Sequence, residues 1–313
     1  MSILVSVPVV TYNAAEFVEE TLESIFNQTH QNIQLIVSDD CSKDDTVAVV
    51  EKWCNQQRVK DRFADIKILT VPQNTGVSAN VNRAIKACLS NWIGMVAGDD
   101  VFLPNKVKDN MEFVRDNPDA QIIFSQVKVY QDTFEEKNYI KSVPSSYPNN
   151  LMDQSFGAED QYKLLLLSDR IQYTPSYFFN KQALEKVGGY DECNRLVEDY
   201  PMWLKLTHSG EKLYYFHKAT VGYRMHSNAT NNNGQDVLIK PSVINSFLAR
   251  KKYAHPHLPK LLVLEENWTY NIAIIFKKMG ITKKTKLNEI LYKFSTVYAN
   301  PFFYCNSIVK KIN

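Results

Sequence analysis

Short apolar, β-branched runs alternate with helical repeats through the first hundred positions of the chain. Leu4–Val10, Ile33–Ser38, Ile66–Val71 and Trp92–Val96 read as strands. Between the first two, Phe17, Val18, Leu22, Ile25 and Phe26 recur at spacings of one, three and four, and Glu16, Glu19, Glu20 and Glu23 are left for solvent. That pattern predicts an amphipathic helix over Glu16 to Gln28, with its acids at the positive end of the helix dipole. Asp44–Arg58 and Val77–Leu89, the latter following the Asn74-Thr75-Gly76 turn, predict two more crossover helices. Strand and helix in strict alternation imply a mainly parallel α/β sheet flanked by helices.

Open parallel sheets bind ligands beyond the carboxyl ends of their strands, so the polar residues that follow each strand matter most. Four such clusters occur: Thr11-Tyr12-Asn13, Asp39-Asp40, Asn74 with Gly76, and Asp99-Asp100. Residues 131–170, with Pro144 and Pro148, predict a variable loop and short helices and carry no assignable chemistry. After residue 235 the alternation stops and the chain becomes helical, lysine-rich and aromatic.

Composition supports a folded protein: 313 residues, 44% hydrophobic and 12% aromatic, are enough for one substantial core and an appendage. The opening Met1-Ser2-Ile3-Leu4-Val5-Ser6-Val7-Pro8 reads as a first strand, since it lacks a basic start and a small-residue cleavage site. No stretch approaches the roughly 18 apolar residues of a membrane span. Cys41, Cys54, Cys88, Cys193 and Cys305 are scattered, which suits a reducing cytoplasm. The net charge of +2 conceals an asymmetry. Up to residue 235 there are 23 basic and 30 acidic residues, net −7, and after it 13 basic and 4 acidic, net +9. The expected organisation is therefore a domain over 1–235, in two halves (1–100 and 101–235), and a basic helical extension over 236–313.

Asp99-Asp100 directly follows an apolar strand, where two carboxylates are costly unless a cation balances them. A hard divalent ion, Mg²⁺ or Mn²⁺, would take one or two carboxylates and complete its shell with water and phosphate oxygens. The competing reading is a helix cap and a solvated turn before Leu103-Pro104.

At this point the chain resembles the family 2 glycosyltransferases, whose catalytic domain has the GT-A fold. The motifs match in order over roughly residues 3–230. Val5 to Asn13 resembles the opening strand, and Val37 to Thr46 resembles the Asp-Asp-Gly-Ser motif with Cys41 in place of glycine. Asn74 to Asn82 resembles the next block, with Val81 where arginine is common. Gly98-Asp99-Asp100 resembles the Asp-x-Asp metal motif, with Ala97 at the position of its first aspartate. The resemblance implies that Tyr12 stacks on the donor base, that Asp40 accepts from it and so favours uracil, and that Asp99 contacts ribose or metal. Asp100 would ligate the metal bridging the diphosphate. Thr11, Asn74, Gly76 and Asn82 complete the donor-binding set. Without the resemblance, Tyr12 would be an aromatic plug and Asp40 a turn residue.

For the second half, which would serve the acceptor, Gly188-Gly189-Tyr190-Asp191-Glu192 followed by Glu198-Asp199-Tyr200-Pro201 resembles the family segment that carries the catalytic base. That implies Asp199, with Glu198 as the alternative, against a plain helix cap. One base opposite the leaving group gives inversion. Tyr223-Arg224-Met225-His226 resembles a Tyr-Arg-x-His segment that closes over the nucleotide, with His226 a third metal ligand or a structural histidine. Asn231-Asn232-Asn233-Gly234 has the composition of a lid. Lysines interleaved with aromatics in the tail suit an anionic membrane surface, or else a helical core with solvated lysines. No nucleic-acid motif accompanies them.

These expectations combine into an inverting hexosyl- or N-acetylhexosaminyltransferase that uses a UDP-sugar and Mn²⁺ or Mg²⁺. It would act on a glycan or lipid-linked glycan in surface polysaccharide or lipopolysaccharide synthesis, in the cytoplasm or peripherally at the inner membrane face. Ala97 and Val81 motivate the rival reading, a nucleotide-sugar-binding scaffold without catalysis. A nucleotidyltransferase is disfavoured by the lack of a glycine-rich basic loop after the first strand.

Overall fold

The computed structural model describes residues 2–194, 198–226 and 237–304. The chain forms two compact units, residues 1–226 and 227–313.

In the first unit, β1 (Val5–Thr11), β2 (Ile33–Asp39) and β3 (Asp65–Leu69) are parallel neighbours, joined by α1 (Val18–Phe26) and by α2 (Thr46–Cys54) with α3 (Gln57–Arg62). α4 (Val77–Ala87) leads to β4 (Trp92–Gly94) and β5 (Val96–Ala97), both parallel to β1 and separated by Met95. Then come β6 (Val101–Phe102), α5 (Lys106–Asp116), β7 (Ile122–Gln131), β8 (Tyr139–Val143), α6 (Ala158–Leu167), β9 (Phe178–Asn180), α7 (Lys181–Lys186), α8 (Asp199–His208) and β10 (Leu213–Met225). The sheet order is β3-β2-β1-β4-β9-β7-β10-β6, with β5 beside β1 and β8 beside β7. β9 runs antiparallel between β4 and β7, so the sheet is mixed but mainly parallel.

The expected strands and crossover helices are present. One differs: Asp44–Arg58 is not a single helix, because the chain turns extended at Gln56, with φ −65° and ψ 136°, and restarts as α3. This break lets the Arg62 guanidinium reach the backbone carbonyls of Phe26, Gln28, His30 and Gln31 and tie down the chain entering β2. Residues 131–170 hold the short helix α6 and also β8, which alternation did not reveal because Tyr139, Ile140 and Lys141 are all exposed. β1 and β2 are buried along nearly their whole length. The rest of the core mixes aliphatic side chains such as Leu22, Ile25, Ile93 and Val107 with aromatics, of which Trp53, Phe124, Phe178, Phe179 and Trp203 are fully enclosed. Each of these aromatics buries about 150–250 Å².

The second unit is helical: α9 (Pro241–Tyr253), α10 (Lys260–Lys278), α11 (Lys286–Lys293) and a π-helical turn over Phe294–Tyr298. Phe247 stacks on Tyr270 with ring centroids 3.9 Å apart, and Glu266 accepts from both Arg250 and His255. Among the described residues, no helix is long and apolar enough to cross a membrane.

Candidate active site

The carboxyl ends of β1, β2 and β5 converge. Thr11 lies opposite Asp39, the Asp40 amide donates to the Thr11 carbonyl at 3.0 Å, and the Gly98 amide donates to the Val10 carbonyl at 3.0 Å. Glycine at 98 is a steric requirement, because a Cβ there would stand 2.7 Å from Thr11 Cγ2.

Tyr12 projects from this edge with 47% of its surface exposed, an unobstructed ring suited to stacking. The turn behind it is braced: Ser42 Oγ accepts from the Asn13 amide, Thr46 Oγ1 from the Ala14 amide and Asp44 from the Ala15 amide. Thr11 Oγ1 and the Ser42 hydroxyl both donate to Asp39, so the Thr11 side chain is a buried strand-to-strand tie. Cys41, at the glycine position of the motif, adopts φ 66°.

Asp40 is enclosed and accepts from the Thr75 amide and hydroxyl, the Gly76 amide at 2.7 Å and Arg83 Nη2 at 3.3 Å. Burial opposes its charge, but these donors outweigh burial and hold the carboxyl below the usual aspartate range. Asn74 donates to the Asp40 carbonyl at 3.1 Å, so residues 74–76 wrap around Asp40. Arg83 had no place in the motif reading. Position 81, where the resembled family commonly has arginine, holds a buried valine, and Arg83 supplies a guanidinium half a turn further along α4.

Asn82 faces the acceptor half. Its Oδ1 accepts from the Tyr190 amide at 2.9 Å, and its Nδ2 donates to the Tyr190 carbonyl at 2.9 Å and to Glu192 at 2.8 Å. The Gly188-Gly189 turn that presents Tyr190 has φ 77° and 66°, the left-handed region that favours glycine.

Asp99 and Asp100 are handled differently. Asp99 is part-exposed, and its Oδ2 lies 3.1 Å from His226 Nε2. Asp100 is buried. Its Oδ1 accepts from the Arg224 amide at 2.9 Å and its carbonyl accepts from Thr21 Oγ1 at 2.7 Å. Burial first and the adjacent Asp99 second push the Asp100 carboxyl well above the ordinary range, only partly opposed by Arg224. Arg224 is the keystone: its guanidinium donates to the carbonyls of Asp99 and Asp132 and to Glu20, between the rings of Phe17 (4.7 Å) and Phe134 (4.3 Å). Phe17 also packs on His226, ring centroids 4.5 Å apart.

Among the described residues, no three His, Cys, Asp or Glu side chains form a ready-made metal cage. The donor set nevertheless fits a divalent ion. A carboxylate oxygen and an imidazole nitrogen face each other beside a second carboxylate whose proton affinity is raised by burial and then by Asp99, and water and phosphate would supply the remaining ligands. The Asn231-Asn232-Asn233-Gly234 tract lies outside the described residues.

Asp199 begins α8, and Glu198 before it makes no side-chain cap. Burial, then Glu198, then Asp169 push the Asp199 carboxyl well up; burial also raises Glu198. Asp199 lies close enough to Tyr177 and Tyr190 to disfavour their ionisation, after burial itself. Tyr190 donates its hydroxyl to Tyr177 at 3.1 Å, and the Tyr177 hydroxyl reaches Met95 Sδ at 3.5 Å, four residues before Asp99. The surroundings of Asp199 are thereby linked to the strand that presents the Asp99-Asp100 pair.

Residues 6–188 match the family model described as glycosyl transferase family 2. The chain is 24% identical over 314 residues to an uncharacterised glycosyltransferase of Rickettsia typhi, covering 99% of this chain and 90% of the relative. It is 25% identical over 254 residues to an Escherichia coli enzyme named UDP-Glc:alpha-D-GlcNAc-diphosphoundecaprenol beta-1,3-glucosyltransferase, covering 80% of this chain and 88% of that one. Among solved structures, S. aureus TarS residues 1–349 in complex with UDP-GlcNAc aligns with a TM-score of 0.56 at 18% identity, over 95% of this chain and 81% of that one. The fold is of the GT-A type.

Proposed function

Since the chain belongs to glycosyl transferase family 2, we propose that it transfers a hexose or N-acetylhexosamine, with inversion, from a UDP-sugar to a hydroxyl of a glycan or lipid-linked glycan. The observation that carries this reading is the Tyr190–Tyr177–Met95 connection, which runs from the surroundings of Asp199, a carboxylate of raised pKa, to Met95, four residues before Asp99. A general base serves best when its pKa approaches the working pH, and Asp199 is displaced in that direction. Burial raises it most, and the neighbouring carboxyls Glu198 and Asp169 add to the rise.

On the donor side, Tyr12 offers its ring to the base, and the loop wrapped around Asp40 shapes the nucleoside pocket. Asp99, Asp100 and His226 would hold Mn²⁺ or Mg²⁺, which when bound neutralises charge on the leaving diphosphate. Asp199 takes the proton of the acceptor hydroxyl as its oxygen attacks the anomeric carbon from the face opposite UDP, so an α-linked donor yields a β-linkage. The E. coli relative's name specifies a UDP-sugar, a diphosphoundecaprenol acceptor and a β-linkage, which supports the same chemistry here. We infer that the reaction belongs to surface polysaccharide or lipopolysaccharide synthesis at the cytoplasmic face of the inner membrane, where a lipid-linked acceptor such as diphosphoundecaprenol would be met.

The deciding experiment is donor hydrolysis across a panel of UDP- and GDP-sugars with Mn²⁺ and no acceptor. Slow UDP release from one or a few UDP-sugars is expected. Binding without release under every condition would identify a scaffold instead, and preference for GDP-sugars would remove the uracil assignment.

A further inference from the structure

α11 is turned inside out. At about 100° per residue, Leu287, Ile290, Leu291, Phe294 and Tyr298 fall on one stripe along α11 and its π-helical continuation. All five are open to solvent, at 65%, 57%, 44%, 58% and 56%. The packed side is another face: Tyr292 meets Phe276 with ring centroids 5.4 Å apart, Thr296 is buried, and the Ser295 carbonyl accepts from Trp268 Nε1 at 2.9 Å. A helix on an ordinary protein surface does the reverse, burying its apolar stripe and presenting its polar side.

Charge says what the stripe fits. Lys283, Lys284, Lys286 and Lys293 are exposed on and beside α11, whose one acid, Glu289, is paired with Lys284 at 3.8 Å. Residues 237–304 hold 11 basic and 3 acidic residues, net +8. A second copy of the chain would bring like charges together, whereas anionic headgroups neutralise them.

We propose that α11 and its π-helical turn form an interfacial anchor, lying flat on an anionic lipid surface with the five-residue stripe in the headgroup–acyl boundary and the lysines at the phosphates. The proposal rests on the membrane reading above and adds to it the face, its orientation and the lipid charge. Lysine stems lie along the apolar stripe and carry their ammonium groups outward to the phosphates.

The test is flotation of the full chain with vesicles of phosphatidylcholine alone or mixed with phosphatidylglycerol. The wild type is expected to float with the anionic vesicles, at least about tenfold less with the neutral ones, and less at high salt. Ile290→Glu with Phe294→Glu should abolish flotation, and Lys286→Glu with Lys293→Glu should reduce it. Both changes are at exposed positions, and circular dichroism checks their folding. Equal flotation of wild type and the double-glutamate variant overturns the proposal, as does equal binding to both vesicle types. A wild-type dimer in sedimentation that the same variant converts to monomer assigns the face to a second copy and also overturns it. UDP-sugar hydrolysis in vesicle-free solution reports on the reaction separately. Its absence with flotation intact would sink the transferase reading and leave the anchor standing.

Discussion

The side-chain amide of Asn82 brackets the backbone of Tyr190, accepting from its N–H and donating to its C=O, both at 2.9 Å. The helix that follows the loop around Asp40 thereby holds Tyr190, nine residues before Asp199. Asn82→Ala is expected to destabilise the fold by about 1–3 kcal/mol, as for leaving buried polar groups unpaired. It should also lower kcat more than it weakens UDP binding. Urea unfolding and a comparison of kcat with the UDP dissociation constant check this; an unchanged kcat with weakened UDP binding would place Asn82 on the donor instead.

Asp199→Asn is expected to reduce transfer by about 100–10,000-fold or more, with UDP affinity near wild type. In the wild type the base must be ionised, so kcat/KM should rise with pH through a midpoint above the ordinary aspartate range. Stability runs the other way. A carboxyl with a raised folded-state pKa favours the folded state at low pH, and that benefit is lost as pH rises from the unfolded toward the folded pKa. Asp199→Asn should therefore stabilise the protein at neutral pH, by on the order of 1 kcal/mol, and progressively less in acid. Thermal melts of both proteins against pH check the sign.

Removing the Arg224 fork should be severe. Arg224→Lys keeps the charge but cannot serve Glu20 and the Asp99 and Asp132 carbonyls together. Metal-dependent UDP binding is expected to fall about 10–100-fold, the usual cost of losing an orienting partner behind metal ligands. Asp100→Asn should weaken the same titration. Calorimetry with Mn²⁺, and with the metal chelated, reads both; a chelator-insensitive UDP affinity would remove the metal from the site.

Lys106 is fully buried on α5, its ammonium donating to the Ser176 carbonyl, and burial lowers its pKa to about 7. An amine whose folded pKa lies below the unfolded value costs stability as pH falls through that window. Lys106→Met should therefore gain relative to wild type as pH drops from 9 to 6, on the direction of that shift. A difference in melting temperature that is flat with pH would refute it.

Much of this was legible in the sequence because strand burial and strand-end chemistry are local signals. The apolar runs of β1 and β2, with Thr11 and Asp39 at their ends, read directly as buried parallel strands with polar tips. The motif order singled out Tyr12, Asp40 and Asp99, which the structure sets after strands of the sheet, and Asp199, which begins α8. The break between α2 and α3 did not show, since Asn55-Gln56 is a weak stop signal and what rewards the break is the distant reach of Arg62. Nor did the partners of Asp40 and Asn82: Arg83 and Tyr190 are chosen by how α4 is rotated on the sheet, which periodicity does not specify. Arg224 stood in a quoted motif, but its contacts with Glu20, Asp99 and Asp132 come from α1, the turn after β5 and the turn after β7.

Those contacts set an order in time. Glu20 and Arg224 are 204 residues apart, and Asp100 and Arg224 are 124 apart. While the chain is being synthesised, α1, the Asp99-Asp100 turn and most of the sheet emerge before Arg224 exists to bind them. Domains fold as units from the N-terminus as the ribosome releases them, at about 5–20 residues per second. Closing the site therefore waits on the order of ten seconds after Asp99 and Asp100 are made, until β10 is released and Arg224 joins it.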